Sequence, residues 1–241
     1  MASDVVGLAS GLGIRTFHAA GISMGGMIAQ VLAARYPESV LSLTSMSSAT
    51  GNPRTGLGKF SAIWATIRPQ SRLTSESEGV KRLDRFIRAM GSVSYERTDA
   101  EKRRLVRLMA RNPGDPDGFR RQLLALLQSG DIRTQVSGIR VPTLVLHGLS
   151  DKLLPPRAGK ETADLISGAR LEMIPRLGHD LPPRAWRQVR APDAREFFPG
   201  TVQGMLIRIA RRPLQPYASR RASAYAASSG RALSSDGSDD Q

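Results

Sequence analysis

The spacing of apolar residues near the start of the chain alternates between helical and extended patterns. Apolar side chains recur at helical spacing over residues 3–13, and an extended apolar stretch follows over 16–22. A second helical stretch, MIAQVLAARY, runs from Met27 to Tyr36 and stops before a proline, and residues 40–46 (VLSLTSM) favour a second strand. Since two strands joined by a helix need a crossover, this order predicts a parallel sheet and an α/β fold.

The middle of the chain has a different pattern. After a stretch that contains Gly and Pro, it carries basic segments with helical periodicity, which we predict to be helices over 80–90, 101–111 and 118–128. We therefore expect residues 51–140 to form an all-helical cap, inserted between the two halves of the sheet.

The alternation of strand and helix returns after this segment. The pattern predicts a strand over 141–147 (VPTLVLH), a helix over 158–167 and a last short strand over 170–174. We therefore assign two segments to the core of the fold, residues 1–50 and 141–183.

The periodicity decays in the last part of the chain. Residues 184–241 are rich in Arg, Ala, Ser and Pro, and we expect an atypical, disordered tail there. The pattern of its first part, 184–198, allows a helix, but Pro192 interrupts that helix.

A net charge of +14 in 241 residues suggests a nucleic-acid partner until its distribution is considered. Residues 51–140 hold 18 basic and 9 acidic side chains, and residues 181–241 hold 10 and 5, whereas residues 1–50 and 141–180 are neutral. The excess therefore lies in the predicted cap and tail, and we predict no nucleic-acid binding.

The remaining composition narrows the candidate chemistry. The chain has no cysteine, which excludes disulfides, thiolate metal sites and cysteine nucleophiles, and its three histidines leave little room for a histidine metal cluster. No apolar run approaches the roughly 20 residues that span a bilayer. We expect a cytoplasmic protein without a metal, a cofactor or a membrane partner.

One motif follows the first predicted strand. The run from Gly21 to Gly26 reads GISMGG, which is G-x-S-x-G between a strand and a helix. Such a turn forces Ser23 into a strained conformation that exposes its hydroxyl, and Gly21 and Gly25 have no side chains to collide with the neighbouring strand and helix. Gly26 is the third glycine of this turn. The following helix directs its positive end towards the serine, and the backbone N–H of Met24 is a natural donor to an oxyanion.

A serine nucleophile needs a base that an acid orients. Asp151 follows the strand at 141–147, and His179 follows the last strand, so both lie at carboxyl ends of parallel strands. The chain order Ser23, Asp151, His179 is the order expected for a G-x-S-x-G hydrolase. Asp180 is adjacent to the histidine and poorly placed to orient its ring.

Together these motifs resemble the α/β-hydrolase fold. GISMGG resembles the nucleophile elbow of that family, VPTLVLHGLSDKLLPP resembles the strand and loop that carry the acid, and LGHD resembles the histidine loop. The resemblance covers about residues 2–183 and implies a catalytic triad of Ser23, Asp151 and His179 beneath a helical cap. Within the family, residues 1–50 and the Leu-Pro-Pro after the histidine look most like esterases of the aclacinomycin methylesterase type.

The chain departs from this family ahead of the elbow. Only 22 residues precede Ser23, where the family places four strands and a helix. We therefore expect a sheet that lacks its first strands, and a first strand with an unpaired edge. The family's second oxyanion donor has no counterpart before Ser23, and losing one such donor typically costs about 10²–10³ in rate.

The sequence thus predicts a cytoplasmic serine hydrolase of small carboxylic esters. Two alternatives stay open: a catalytically impaired or inactive fragment of a hydrolase, and a basic nucleic-acid-binding protein. Related serine enzymes cleave C–C bonds or act as perhydrolases, and the residues do not separate these reactions. The sequence does not indicate an oligomeric state.

Overall fold

A computed structural model describes residues 1–67, 75–111 and 116–185. The first part contains α1 (Ala2–Gly11), β1 (Phe17–Ile22), α2 (Met24–Arg35) and β2 (Val40–Met46). This order confirms the predicted strand, helix and strand. Helix α2 begins three residues earlier than its apolar stretch predicts, because Ser23 itself is its N-cap residue.

All regular structure described between β2 and β3 is helical, as predicted. We call this segment, residues 53–136, the insertion. Its elements are α3 (Pro53–Gly56), α4 (Phe60–Ile67), α5 (Glu76–Met90), α6 (Asp99–Arg111), α7 (Pro116–Ser129) and α8 (Arg133–Val136). Helix α5 starts where the Ser75 side chain accepts a hydrogen bond from the backbone N–H of Glu78, at 3.1 Å.

The chain then returns to alternating strand and helix, with β3 (Thr143–Gly148), α9 (Pro156–Leu165) and β4 (Arg170–Ile174). Apart from its first two positions, the predicted tail, 184–241, lies outside the described residues. None of the described helices is long and apolar enough to span a membrane.

The four strands form one parallel sheet in the order β1-β2-β3-β4. The last residues of neighbouring strands pair with one another, Ile22 with Met46 and Gly148 with Ile174. Since all strands point the same way, the loops that follow them meet at one edge of the sheet, where open α/β sheets build their sites.

The core forms where α2 packs on the sheet. The small side chains Ala29 and Ala33 of α2 are buried, and they share one cluster with Leu43 of β2 and Val136 of α8. Small residues on this helix face allow close approach to the strands. Strand β3 is buried along its whole length, as expected for a strand in the interior of a parallel sheet.

The insertion buries much less of its surface. In α6 the buried residue is Val106, whereas the apolar side chains of Leu105, Leu108 and Met109 remain exposed. Ion pairs join α5 to α6, among them Lys102 with Asp84 at 2.9 Å. Part of the basic excess in this segment is thus paired within it.

Candidate functional site

The turn after β1 holds Ser23 in an unusual backbone conformation. Its φ is 55° and its ψ is −122°, a region that L-residues rarely occupy and that the elbow motif predicts. Its N–H donates to the Met46 carbonyl at 2.9 Å, and its own carbonyl accepts from the Ser48 hydroxyl at 2.8 Å. These bonds from β2 and the following loop hold the strained residue in place.

Of the two glycines predicted to avoid a collision, Gly21 does so in the structure and Gly25 does not. A Cβ on Gly21 would overlap the carbonyl group of Gly25, and a Cβ on Gly26 would lie 2.6 Å from the Cβ of Ser48. A Cβ on Gly25, in contrast, would meet nothing within 4 Å. The prediction that Gly25 avoids a collision of its own is wrong, because its backbone carbonyl is what closely approaches Gly21.

The start of α2 faces the serine. Met24 is the first residue of that helix, so its N–H belongs to the turn whose donors have no acceptor within the helix. The positive end of the helix dipole adds to the field at this point. The 22 residues ahead of Ser23 form α1, β1 and their connection, and no counterpart of a second oxyanion loop is found among them.

The structure brings His179 to Ser23 across 156 positions of the chain. Its Nε2 lies 2.9 Å from the Ser23 Oγ, and its Nδ1 lies 2.7 Å from an Asp151 carboxylate oxygen, Oδ2. A carboxylate can only accept, so a neutral ring donates its Nδ1–H to Asp151 and leaves the Nε2 lone pair facing the hydroxyl. The ring is almost fully buried, which limits its alternative orientations.

The Asp151 carboxylate is fixed on both oxygens. While Oδ2 faces the histidine, Oδ1 accepts from the backbone N–H groups of Leu153 and Leu154, each at 2.9 Å. Its side chain is fully buried, so these donors replace the water that the charge would otherwise bind. The loop after β3 therefore supplies both the acid and the groups that orient it.

A second histidine lies beside the acid without joining it. His147, 0% exposed, donates from Nε2 to the carbonyl of Leu154 at 2.9 Å, and its buried Nδ1 has no hydrogen-bond partner in the part of the chain that the structure describes. Burial lowers the pKa of His147. The ring is neutral near pH 7, so its 3.7 Å contact with Asp151 is not an ion pair.

Sequence reasoning missed the residues that hold the histidine loop. Asp180 accepts from Ser92 and Arg97, and the N–H of His179 donates to the carbonyl of Met90 at 2.6 Å. Partners 83 to 89 positions apart carry no local signal, because their pairing arises only when the insertion folds against the core.

The match to known proteins agrees with this geometry. A family model described as the alpha/beta hydrolase fold matches residues 1–183. The chain belongs to this family. The match covers all four strands and all three residues that meet in the site.

Two curated relatives are rhodomycin D methylesterase of Streptomyces peucetius and 2-hydroxymuconate semialdehyde hydrolase of Pseudomonas putida. Each is 28% identical and aligns with 76% of this chain. The alignment covers 67% of the methylesterase and 61% of the semialdehyde hydrolase, so the chain spans somewhat under two thirds of the length of the second.

Solved structures also share the fold. A meta-cleavage product hydrolase of Pseudomonas fluorescens superposes with a TM-score of 0.59 at 22% identity, over 81% of this chain and 69% of that protein. At this identity the likeness concerns the fold alone.

Proposed function

We propose that this protein is a serine hydrolase that cleaves small carboxylic esters through an acyl-enzyme. The observation that carries the proposal is the continuous series of contacts from the Ser23 hydroxyl through His179 to Asp151, with heavy-atom distances of 2.9 and 2.7 Å. These distances lie in the range in which a base takes a proton from a nucleophile.

In the first half-reaction the Ser23 Oγ attacks the ester carbonyl carbon while its proton passes to His179 Nε2. The electrons of the carbonyl double bond move to the oxygen, and the Met24 N–H donates to that oxyanion. When the intermediate collapses, the bond to the alkoxide breaks and the alkoxide takes the proton from His179, leaving acyl-Ser23 and an alcohol.

Water completes the cycle by the same path. His179 removes a proton from water as the water oxygen attacks the acyl carbon, and it then returns that proton to Ser23 Oγ as the carboxylic acid leaves. Asp151 stays ionised throughout, holding the Nδ1–H and stabilising the imidazolium that forms twice per turnover.

The ester class is supported by the names of relatives. Among the curated relatives are methylesterases, including a pimeloyl-[acyl-carrier protein] methyl ester esterase of Nitrosomonas europaea that is 28% identical. One relative, the semialdehyde hydrolase, is not named as an esterase, so the reaction class needs its own test.

A fluorophosphonate probe tests the nucleophile directly. We expect the wild type to be labelled and to hydrolyse p-nitrophenyl butyrate, and Ser23→Ala to lose both, with kcat lower by about 10⁶ as for other serine nucleophiles. Ser10→Ala, in the exposed helix α1, is the matched control and should keep both activities. If folded wild-type protein neither reacts with the probe nor turns over the ester, the inactive-fragment hypothesis replaces this proposal.

A further inference from the structure

We propose that Asp180 and Ser92 are positioning residues for His179, so that the insertion holds the catalytic base in place. This inference rests on the proposed function, in which His179 is the base. Asp180 does not touch the ring, and it acts through the backbone of the loop that carries the histidine.

The backbone of the histidine loop is bound at two successive residues. The N–H of Gly178 donates to the Ser92 hydroxyl at 2.7 Å, and the N–H of His179 donates to the Met90 carbonyl at 2.6 Å. Met90 is the last residue of α5, and Ser92 lies two residues further along the chain. The C-terminal end of this helix of the insertion, with the residues just after it, therefore binds both groups.

Asp180 binds the same helix end from the other side of His179. Its Oδ1 accepts from the N–H of Ser92 at 2.7 Å and also from the Ser92 hydroxyl. The Ser92 Oγ therefore accepts from the residue before His179 and donates to the residue after it. The hydroxyl of one buried residue thus binds the loop on both sides of His179.

Arg97 completes this cluster. Its Nη2 lies 2.6 Å from the second oxygen of Asp180, and the two side chains are only 7% and 11% exposed. Among the described residues, the buried Nε and Nη1 atoms of Arg97 find no hydrogen-bond partner. Burying an ion pair with unsatisfied donors has a desolvation cost. We therefore expect the pair of Arg97 and Asp180 to fix the geometry of the histidine loop rather than to stabilise the fold.

An apolar contact also joins the insertion to the histidine loop. Tyr95, between Ser92 and Arg97, packs with Ile174 and Leu177, and its hydroxyl donates to the Pro175 carbonyl at 3.0 Å. The connector between α5 and α6, residues 91–98, therefore contacts the end of β4 and several residues of the loop that carries the histidine. Displacing the connector would move His179 relative to Ser23.

The test compares Ser92→Ala, Asp180→Ala and Asp180→Asn with the wild type. The matched control is Asp164→Asn, which removes an exposed carboxylate paired with Lys160 on α9. We expect kcat for p-nitrophenyl butyrate to fall about 100-fold in Ser92→Ala and Asp180→Ala with KM within about twofold, because small displacements of reacting groups cost this much. Asp180→Asn keeps an acceptor for Ser92 and should recover part of kcat, and Asp164→Asn should match the wild type.

A spectroscopic signature separates positioning from general loss of structure. The Nδ1 proton between His179 and Asp151 should give a low-field proton resonance, assigned by its loss in Asp151→Asn. We expect this resonance to broaden or vanish in Ser92→Ala and Asp180→Ala while circular dichroism stays that of a folded protein, and to persist in Asp164→Asn. If an alanine variant does not fold, Asp180→Asn, with its closely similar size, decides by the same two measurements.

Two results separate failure of this inference from failure of the proposed function. A wild type that turns over the ester, with Ser92→Ala and Asp180→Ala equal to it in kcat and resonance, overturns the positioning role alone. A wild type without turnover overturns the proposed function, but loss of the resonance in folded Ser92→Ala would still establish that Ser92 positions His179.

Discussion

Two segments of the site are held by different kinds of contact: the turn at residues 21–26 that carries Ser23, here the nucleophile turn, and the histidine loop at residues 177–180. The turn combines contacts within a few residues, where the Gly25 carbonyl approaches Gly21 and Ser23 begins the helix, with bonds from Ser23 to Met46 and Ser48, 23 and 25 positions further along the chain. The histidine loop depends on partners from the insertion, such as Met90 and Ser92. The first half of the site is therefore completed within residues 21–48, and the other half exists only after the insertion has packed against the end of the sheet.

This difference explains where substitutions should act. A substitution in the nucleophile turn strains a tightly packed backbone, so we expect it to lower the free energy of unfolding. A change around the histidine loop alters the orientation of one ring, so its cost should appear first as rate. Three predictions, in order of decreasing effect, test this contrast.

The largest expected effect concerns the acid. Asp151→Asn should lower kcat by about 10⁴, because an amide N–H facing Nδ1 would favour the tautomer whose Nε2 carries a proton and cannot accept from Ser23. The remaining amide oxygen can still accept from Leu153 and Leu154, so the melting temperature should change little. Steady-state kinetics with Asp164→Asn as the control measures this. A rate within tenfold of the wild type would argue against Asp151 as the residue that sets the tautomer of His179.

The next effect compares two glycines of the nucleophile turn. Gly21→Ala should lower the free energy of unfolding by about 3 kcal/mol, the upper end for an overpacked site, because its Cβ overlaps the Gly25 carbonyl group. Gly25→Ala should leave stability unchanged or raise it by up to about 1 kcal/mol, since its Cβ meets open space and alanine favours a helix. Urea denaturation of both variants measures the difference, and equal stabilities would contradict a locally built turn.

The smallest effect concerns the neutral histidine beside the acid. Burial lowers the pKa of His147, so the unfolded chain, near its usual 6.5, binds a proton more readily than the folded protein. The contribution of the neutral His147 ring to the free energy of unfolding is complete above pH 6.5. It is lost as the pH falls below this value, by at most about 1.4 kcal/mol per pH unit.

His147→Gln should remove this part of the pH dependence. Its amide can still donate to the Leu154 carbonyl, and carboxylates that titrate at lower pH affect both proteins alike. The check is the free energy of unfolding of wild type and variant between pH 5 and 7.5. Parallel curves would mean that His147 is protonated equally in the folded and unfolded chains.

Elements whose signals lie close together in the chain are predicted well, and features that depend on three-dimensional contacts are not. The strand at 40–46 and the strand at 170–174 agree with β2 and β4 residue for residue, because their apolar pattern and their bounding residues are local. The start of α2 was misplaced because its first residues, Met24 to Gly26, belong to a turn whose glycines do not favour a helix. The role assigned to Gly25 was wrong because a collision depends on the direction of a Cβ, which the sequence does not contain.

By itself the sequence determined the order of strands and helices, the strained serine and the choice of Ser23, Asp151 and His179 as candidates. The reason is that periodicity and turn chemistry act between residues close in the chain. Only the tertiary structure decided that His179 lies 2.9 Å from Ser23 and that Ser92, Arg97 and Asp180 hold its loop. These contacts join residues 83 to 156 positions apart. They form because the parallel sheet brings the loops after its strands to one edge and because the insertion's connector packs against the end of β4.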